Sequence, residues 1–258
     1  MNLSYTAYGD GPPLLILHGL FGSGRNWTSI AKKLAENRRV LTIDLRNHGD
    51  SPWDDEMTYA AMADDLLRLI DAEKLEKPVV LGHSMGGKAA MVATLTDPGA
   101  IGALIVADIA PVAYGHSHDP YVDAMRALDL SAVQRRGDAD TALAEAVPEA
   151  GIRGFLLHNL VFEEAGARWR LNLDAIADNM AALTDFPIPP ASNVFSGPSM
   201  FVVGAKSDYV RPDHHAAIRQ YFPASSILVI ADAGHWLHAE KPAEFIDTVA
   251  GFLTSLTP

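Results

Sequence analysis

A chain of 258 residues, 48% hydrophobic and 20% charged, is long enough for one large core or a core plus an inserted subdomain. Its formal net charge of −12 excludes the Lys/Arg patches that nucleic acid demands and disfavours an anionic membrane surface. With no cysteine, disulfides, thiolate metal sites and a cysteine nucleophile are excluded together, which fits a reducing cytoplasm.

The N-terminal stretch MNLSYTAYGDGPP lacks the basic region and apolar core of a secretory signal. No apolar run reaches the ~18 residues of a membrane helix, so the expected location is cytoplasmic with no membrane partner. PLLILHG (13–19) reads as a strand ending in glycine, NWTSIAKKLAEN (26–37) as a helix and RVLTIDL (39–45) as a strand. The run 57–75 reads as a helix with Thr58 as its N-cap. A strand at 78–82, a helix at 85–96 and a strand at 103–109 follow. Such alternation predicts a mostly parallel sheet, and the nearly all-apolar strands predict helices on both of its faces. From about Val112 to Ser196 only helical patterns are visible, and FPIPP (186–190) breaks the chain. The strand–helix rhythm then resumes with strands at 199–204 and 225–231, a helix after Pro212 and a final helix from about Ala243. Residues 1–111 and 197–258 are therefore expected to form one α/β core, with 112–196 inserted as a helical cap.

GHSMGG (82–87) lies between the strand and the helix. In G-x-S-x-G at such a junction the glycines keep side chains out of a very tight turn, and the strained serine projects its hydroxyl above the sheet. Ser84 is thus the candidate nucleophile. A plain N-cap serine would need no glycine on both flanks. A serine hydroxyl needs a base. His235, in ADAGHWLHAEKP (231–242), follows the last strand at the sheet edge where ligands gather and is assigned that role. His238 is read as a packing residue, His83 as pointing away across the turn, and His18 as a brace of the HG loop. A histidine base predicts activity that falls below about pH 6 to 7. The oxyanion donors are expected to be the backbone N–H of Met85 and that of Leu20, with Phe21 the close alternative to Leu20.

With LHGLFGSGRNW, DLRNHGDSP, GHSMGG and AGHWLHAEKP in order, the chain resembles the α/β-hydrolase superfamily over nearly its whole length. Within it the chain is similar to small bacterial carboxylesterases of the YbfF type, as are ADIAPVAY (107–114) and WRLNLDAI (169–176). The resemblance implies the α/β-hydrolase fold, a Ser–His–acid hydrolase with a helical lid, a small-molecule ester substrate and no cofactor. It also bears on the acid. Asp208, after the strand 199–204, holds the usual superfamily place but stands one residue late, because GAKSDYV puts Ser207 at the G-x-x-D position. Asp108, in the apolar run LIVADIAP, stands where YbfF-like esterases resemble members that carry the acid on the preceding strand. A buried carboxylate there is costly unless paired, and a protonated histidine supplies the pair. Asp108 is assigned, with Asp208 the rival and Asp174 third.

FLLHNLVF (155–162), Trp169 and Trp236 are candidates for an apolar pocket, with Phe21 and Trp236 the assigned substrate contacts, although packing competes for most of FLLHNLVF. Arg153, Arg168 and Arg170 offer charges for a substrate carboxylate, but such residues more often form surface salt bridges and are read so. No metal-ligand spacing and no Walker or dinucleotide fingerprint is present, and His214-His215 lacks the i, i+4 pairing of a zinc helix. The rivals to a carboxylesterase are a C–C bond hydrolase or perhydrolase using the same triad, and a ligand receptor without turnover. A dehalogenase is excluded because its nucleophile is a carboxylate.

Overall fold

The structure, a computed structural model, describes residues 1–115, 117–187 and 193–256. The break expected at FPIPP thus lies mostly outside the described residues. Strands β1 (Tyr5–Tyr8) and β2 (Pro13–Leu17) lead to helix α1 (Thr28–Leu34), β3 (Arg39–Ile43) and α2 (Tyr59–Ala72). Then come β4 (Val79–His83), α3 (Met85–Thr96) and β5 (Ala103–Ala107). The stretch that follows carries α4 (Asp119–Ala127), α5 (Arg136–Leu143), α6 (Ala150–Leu157), β6 (Leu160–Glu163), β7 (Gly166–Trp169), α7 (Leu173–Asp178) and α8 (Met180–Thr184). The chain closes with β8 (Ser199–Gly204), α9 (His215–Tyr221), β9 (Ser225–Ile230), α10 (Leu237–Glu240) and α11 (Pro242–Ser255).

Seven strands form one sheet in the order β1-β3-β2-β4-β5-β8-β9. Every pairing is parallel except β1 with β3, an antiparallel edge that the expected element order does not contain. Successive strand residues feed opposite cores, as the pleat requires. Leu15, Leu17, Val80, Leu104 and Val106 pack under α2 and α3, while Leu14, Ile16, Leu81 and Ile105 pack under α1 and α11. Burial on both faces is the reason that the central strands carry no polar alternation. Thr58 caps α2, its side chain accepting from the Ala61 N–H.

One expectation fails in the inserted stretch. NLVF is not helical: Leu160–Glu163 pairs antiparallel with Gly166–Trp169. The short apolar run fits either period, and Gly166, at φ 118°, lets the chain reverse. The stretch is tied to the sheet's loops by Asn159 Nδ2 donating to Phe21 O (2.7 Å) and Asn172 N donating to Asn47 O (3.0 Å). Tyr59, on α2, donates its hydroxyl to Leu183 O at 2.7 Å.

Candidate active site

Ser84 joins β4 to α3 with φ 51° and ψ −119°, and its side chain does not cap the helix. The turn tolerates no neighbouring side chain. A Cβ on Gly82 would lie 2.2 Å from Gly86 O, and one on Gly86 2.5 Å from His18 O. The hydroxyl turns instead to His235, whose Nε2 lies 3.1 Å from Ser84 Oγ. His235 Nδ1 stands 2.8 Å from Asp108 Oδ2. Because a carboxylate only accepts, Nδ1 carries the ring proton and Nε2 is left to accept the serine's.

Asp108 follows β5 directly and is fully buried. Its φ of 53° turns the carboxyl back beneath the His235 loop, a conformation Asp tolerates better than most residues. Its Oδ1 accepts from Gly204 N at 3.0 Å, and its Oδ2 also accepts from the Ser207 hydroxyl. Ser207 occupies the position where G-x-x-D would place an aspartate, and it supports the carboxylate rather than replacing it. Asp208 is exposed beside Arg211 and His214 in a surface groove away from His235. Asp174 pairs with Arg126 at 2.9 Å on the surface. The structure thus brings Asp108 to His235 and neither rival.

The two expected backbone donors are uncommitted. Among the described residues neither Leu20 N nor Met85 N has an acceptor, whereas Phe21 N donates to His48 Nε2 at 3.2 Å. That commitment leaves Leu20 as the free donor of the loop. His48, which the sequence did not single out, anchors the loop, with Nδ1 donating to Arg46 O at 2.9 Å. His18 braces in the same way: Nδ1 donates to Gly19 O at 2.8 Å and Nε2 accepts from Leu45 N at 3.0 Å. Burial pushes His18 down to about 4 and His48 to about 3, so both stay neutral acceptors.

His83 does not point away as expected. As the last residue of β4 it faces the side of the sheet on which the 231–238 loop folds back. Its ring lies 4.8 Å from that of His235, and its Nε2 donates to His235 O at 2.9 Å. Burial holds it well below the ordinary histidine range. His238 packs as expected, stacked on Trp27 at 4.3 Å. Tyr209, also missed, stacks on His235 at 3.8 Å and fixes the ring plane.

A cavity of about 250 Å³ opens over Ser84 and His235. Phe21 and Trp236 both line it, joined by Tyr121, Ile152, Phe155 and Leu156. Trp169 does not, contrary to expectation: the hairpin turns it inward, where its Nε1 donates to Met125 O at 3.0 Å. Arg153 pairs with Asp140 and Arg168 with Glu163, while Arg170 pairs with Asp50. Among the described residues no His/Asp/Glu group is arranged to hold a metal ion, and no helix is long and apolar enough to cross a membrane.

A strained serine after the fourth strand, a histidine after the last and a buried aspartate between them, on this sheet order, define an α/β-hydrolase. The chain belongs to that family: the model of the alpha/beta hydrolase fold matches residues 12–242. It is 44% identical over 252 residues to the mouse sn-1-specific diacylglycerol lipase ABHD11, covering 94% of this chain and 81% of the relative. With Esterase YbfF of Escherichia coli strain K12 it shares 36% identity over 242 residues, 93% of this chain and 92% of the other. A solved structure described as a marine microorganism esterase superposes with a TM-score of 0.95 at 38% identity, covering 98% of this chain and 99% of that one. The chain is thus an α/β-hydrolase of the esterase and lipase type.

Proposed function

We propose that this chain is a serine carboxylesterase that hydrolyses small to medium carboxylic esters through an acyl-enzyme on Ser84. The observation that carries the proposal is the unbroken hydrogen-bond relay from Ser84 Oγ to His235 Nε2 (3.1 Å) and from His235 Nδ1 to Asp108 (2.8 Å), at the floor of an apolar cavity. Ser84 Oγ attacks the ester carbonyl while His235 takes its proton. The N–H groups of Leu20 and Met85 receive the developing oxyanion. His235 then returns the proton to the departing alkoxide. Water takes the alcohol's place, is deprotonated by the same ring, and releases the acid. Asp108 holds His235 in the tautomer that makes this possible and offsets the imidazolium charge. In this scheme residues 112–196 act as a lid, which contributes Ile152, Phe155 and Leu156 to the cavity lining.

A fluorophosphonate probe tests the proposal. Native protein is expected to label stoichiometrically and to hydrolyse p-nitrophenyl acetate, while the Ser84→Ala protein does neither. Native protein that takes no label, or equal labelling of the variant, would refute it.

A further inference from the structure

The cavity over His235 is not the only space that reaches Ser84. A second, of about 30 Å³, also reaches the serine and is lined by Met85, Lys88, Ile109 and Leu183 among others. Ser84, Leu20, His118 and Tyr209 line both spaces, but His235 lines only the large one and Met85 only the small one. This asymmetry assigns the two halves of an ester. In the tetrahedral intermediate one oxygen, the oxyanion, points at the Leu20 and Met85 N–H groups. The leaving oxygen must lie beside His235 Nε2, because that nitrogen supplies its proton. The alcohol portion therefore extends into the large cavity, and the remaining substituent, the acyl chain, has the small one.

We infer that, given the serine-esterase chemistry proposed above, the enzyme takes esters of short-chain acids, of about two to four carbons, with bulky apolar alcohols. Space sets the limit: about 30 Å³ is two to three times the ~10–15 Å³ that one water-sized group needs, room for at most about three carbons beyond the carbonyl. The floor of the small cavity is also fastened. Lys88, one helical turn beyond Ser84, donates from Nζ to Thr184 O at 3.0 Å and to Asp185 O at 2.6 Å. Its ammonium lies 4.7 Å above the Tyr114 ring. Tyr59 holds Leu183 O, and Tyr114 N donates to Thr184 O at 3.0 Å. A longer apolar chain would have to separate the buried Lys88 Nζ from its two carbonyls. The large cavity, with Tyr121, Ile152, Phe155 and Trp236 on its walls, has about eight times the volume.

Two substrate series on the native enzyme test this, one varying the acid as p-nitrophenyl acetate, butyrate, hexanoate and octanoate, the other varying the alcohol as ethyl and 2-phenylethyl acetate. Since one misfitted methylene costs roughly 10-fold or more, kcat/KM is expected to fall at least about 100-fold from acetate to octanoate. It should rise at least about 10-fold from ethyl to 2-phenylethyl acetate. Leu183→Ala, which removes part of the small cavity's wall, should raise the octanoate-to-acetate ratio by about 10-fold or more. Octanoate turned over as well as acetate by the native enzyme would overturn the assignment, as would an unchanged ratio in an active Leu183→Ala protein. Fluorophosphonate labelling separates the two levels: a labelled Ser84 with the opposite chain-length profile sinks only the subsite assignment, whereas an unlabelled one sinks the esterase mechanism itself.

Discussion

Asn in place of Asp108 is the perturbation with the largest predicted consequence away from the nucleophile. The carboxylate is fully buried and accepts three donors: the ring Nδ1–H of His235, the Gly204 N–H at 3.0 Å and the Ser207 hydroxyl. An Asn oxygen can keep the Gly204 bond, but its NH2 group then replaces Oδ2 and points a donor at His235 Nδ1. The ring answers by moving its proton to Nε2, where it can no longer accept from Ser84. The expected loss in kcat is on the order of 10⁴-fold, about 5.5 kcal/mol of transition-state stabilisation. Asp208, exposed and out of reach of His235, is the internal control, and Asp208→Asn should change kcat by less than about two-fold. Steady-state hydrolysis of p-nitrophenyl acetate measures both, with thermal melts to confirm that each variant folds. An Asp108→Asn protein that folds and keeps more than about a tenth of native kcat, or an Asp208→Asn protein with the larger loss, would refute the assignment.

Ser207→Ala removes one of the three donors to the same carboxylate, and a bond to a charged group is worth about 1.5–3 kcal/mol. With about half of that expressed in the transition state, kcat drops roughly 4- to 13-fold with KM unchanged, while Ser207→Thr, which keeps the hydroxyl, recovers most of it. His48→Ala orphans the buried Phe21 N–H and should lower unfolding stability by about 1–3 kcal/mol in urea. Acid should destabilise the fold before it protonates most carboxylates. Burial holds His18 at about 4 and both His48 and His238 at about 3, below the ordinary 6.5. Between those values the unfolded chain binds protons that the folded chain refuses. Stability is therefore full above about pH 6.5 and declines as pH falls toward 4, by on the order of 1.4 kcal/mol per unit per histidine. A urea midpoint that is equal at pH 7 and pH 5 would contradict this.

The sequence by itself determined most of the sheet and the strained serine at its strand–helix turn. Central strands buried on two faces must be apolar throughout, so β2, β4, β5 and β8 were legible as unbroken runs. The edge strand β1 was not, because Tyr5–Tyr8 is only partly buried and its pattern carries little signal. Ser84 was legible because only glycine fits where β4 and α3 nearly touch, and that constraint is local. His235 was legible because its loop follows the last strand directly. The acid was beyond local reasoning. Asp108 and Asp208 both follow strands and precede His235, and spacing alone could not choose between them. What sets Asp108 beside His235 is one torsion and a neighbour distant in sequence: the positive φ at Asp108, and Ser207 reaching across from the loop after β8 to bond it. The state of the Leu20–Phe21 loop is tertiary in the same way: His48, from a separate loop, takes the Phe21 N–H. Cavity walls are likewise tertiary, since β4, the loops after β8 and β9 and the 112–196 stretch meet only when folded. A motif fixes the conformation of its own few residues, whereas a hydrogen-bond partner or a cavity depends on which distant residues the packed chain places opposite them.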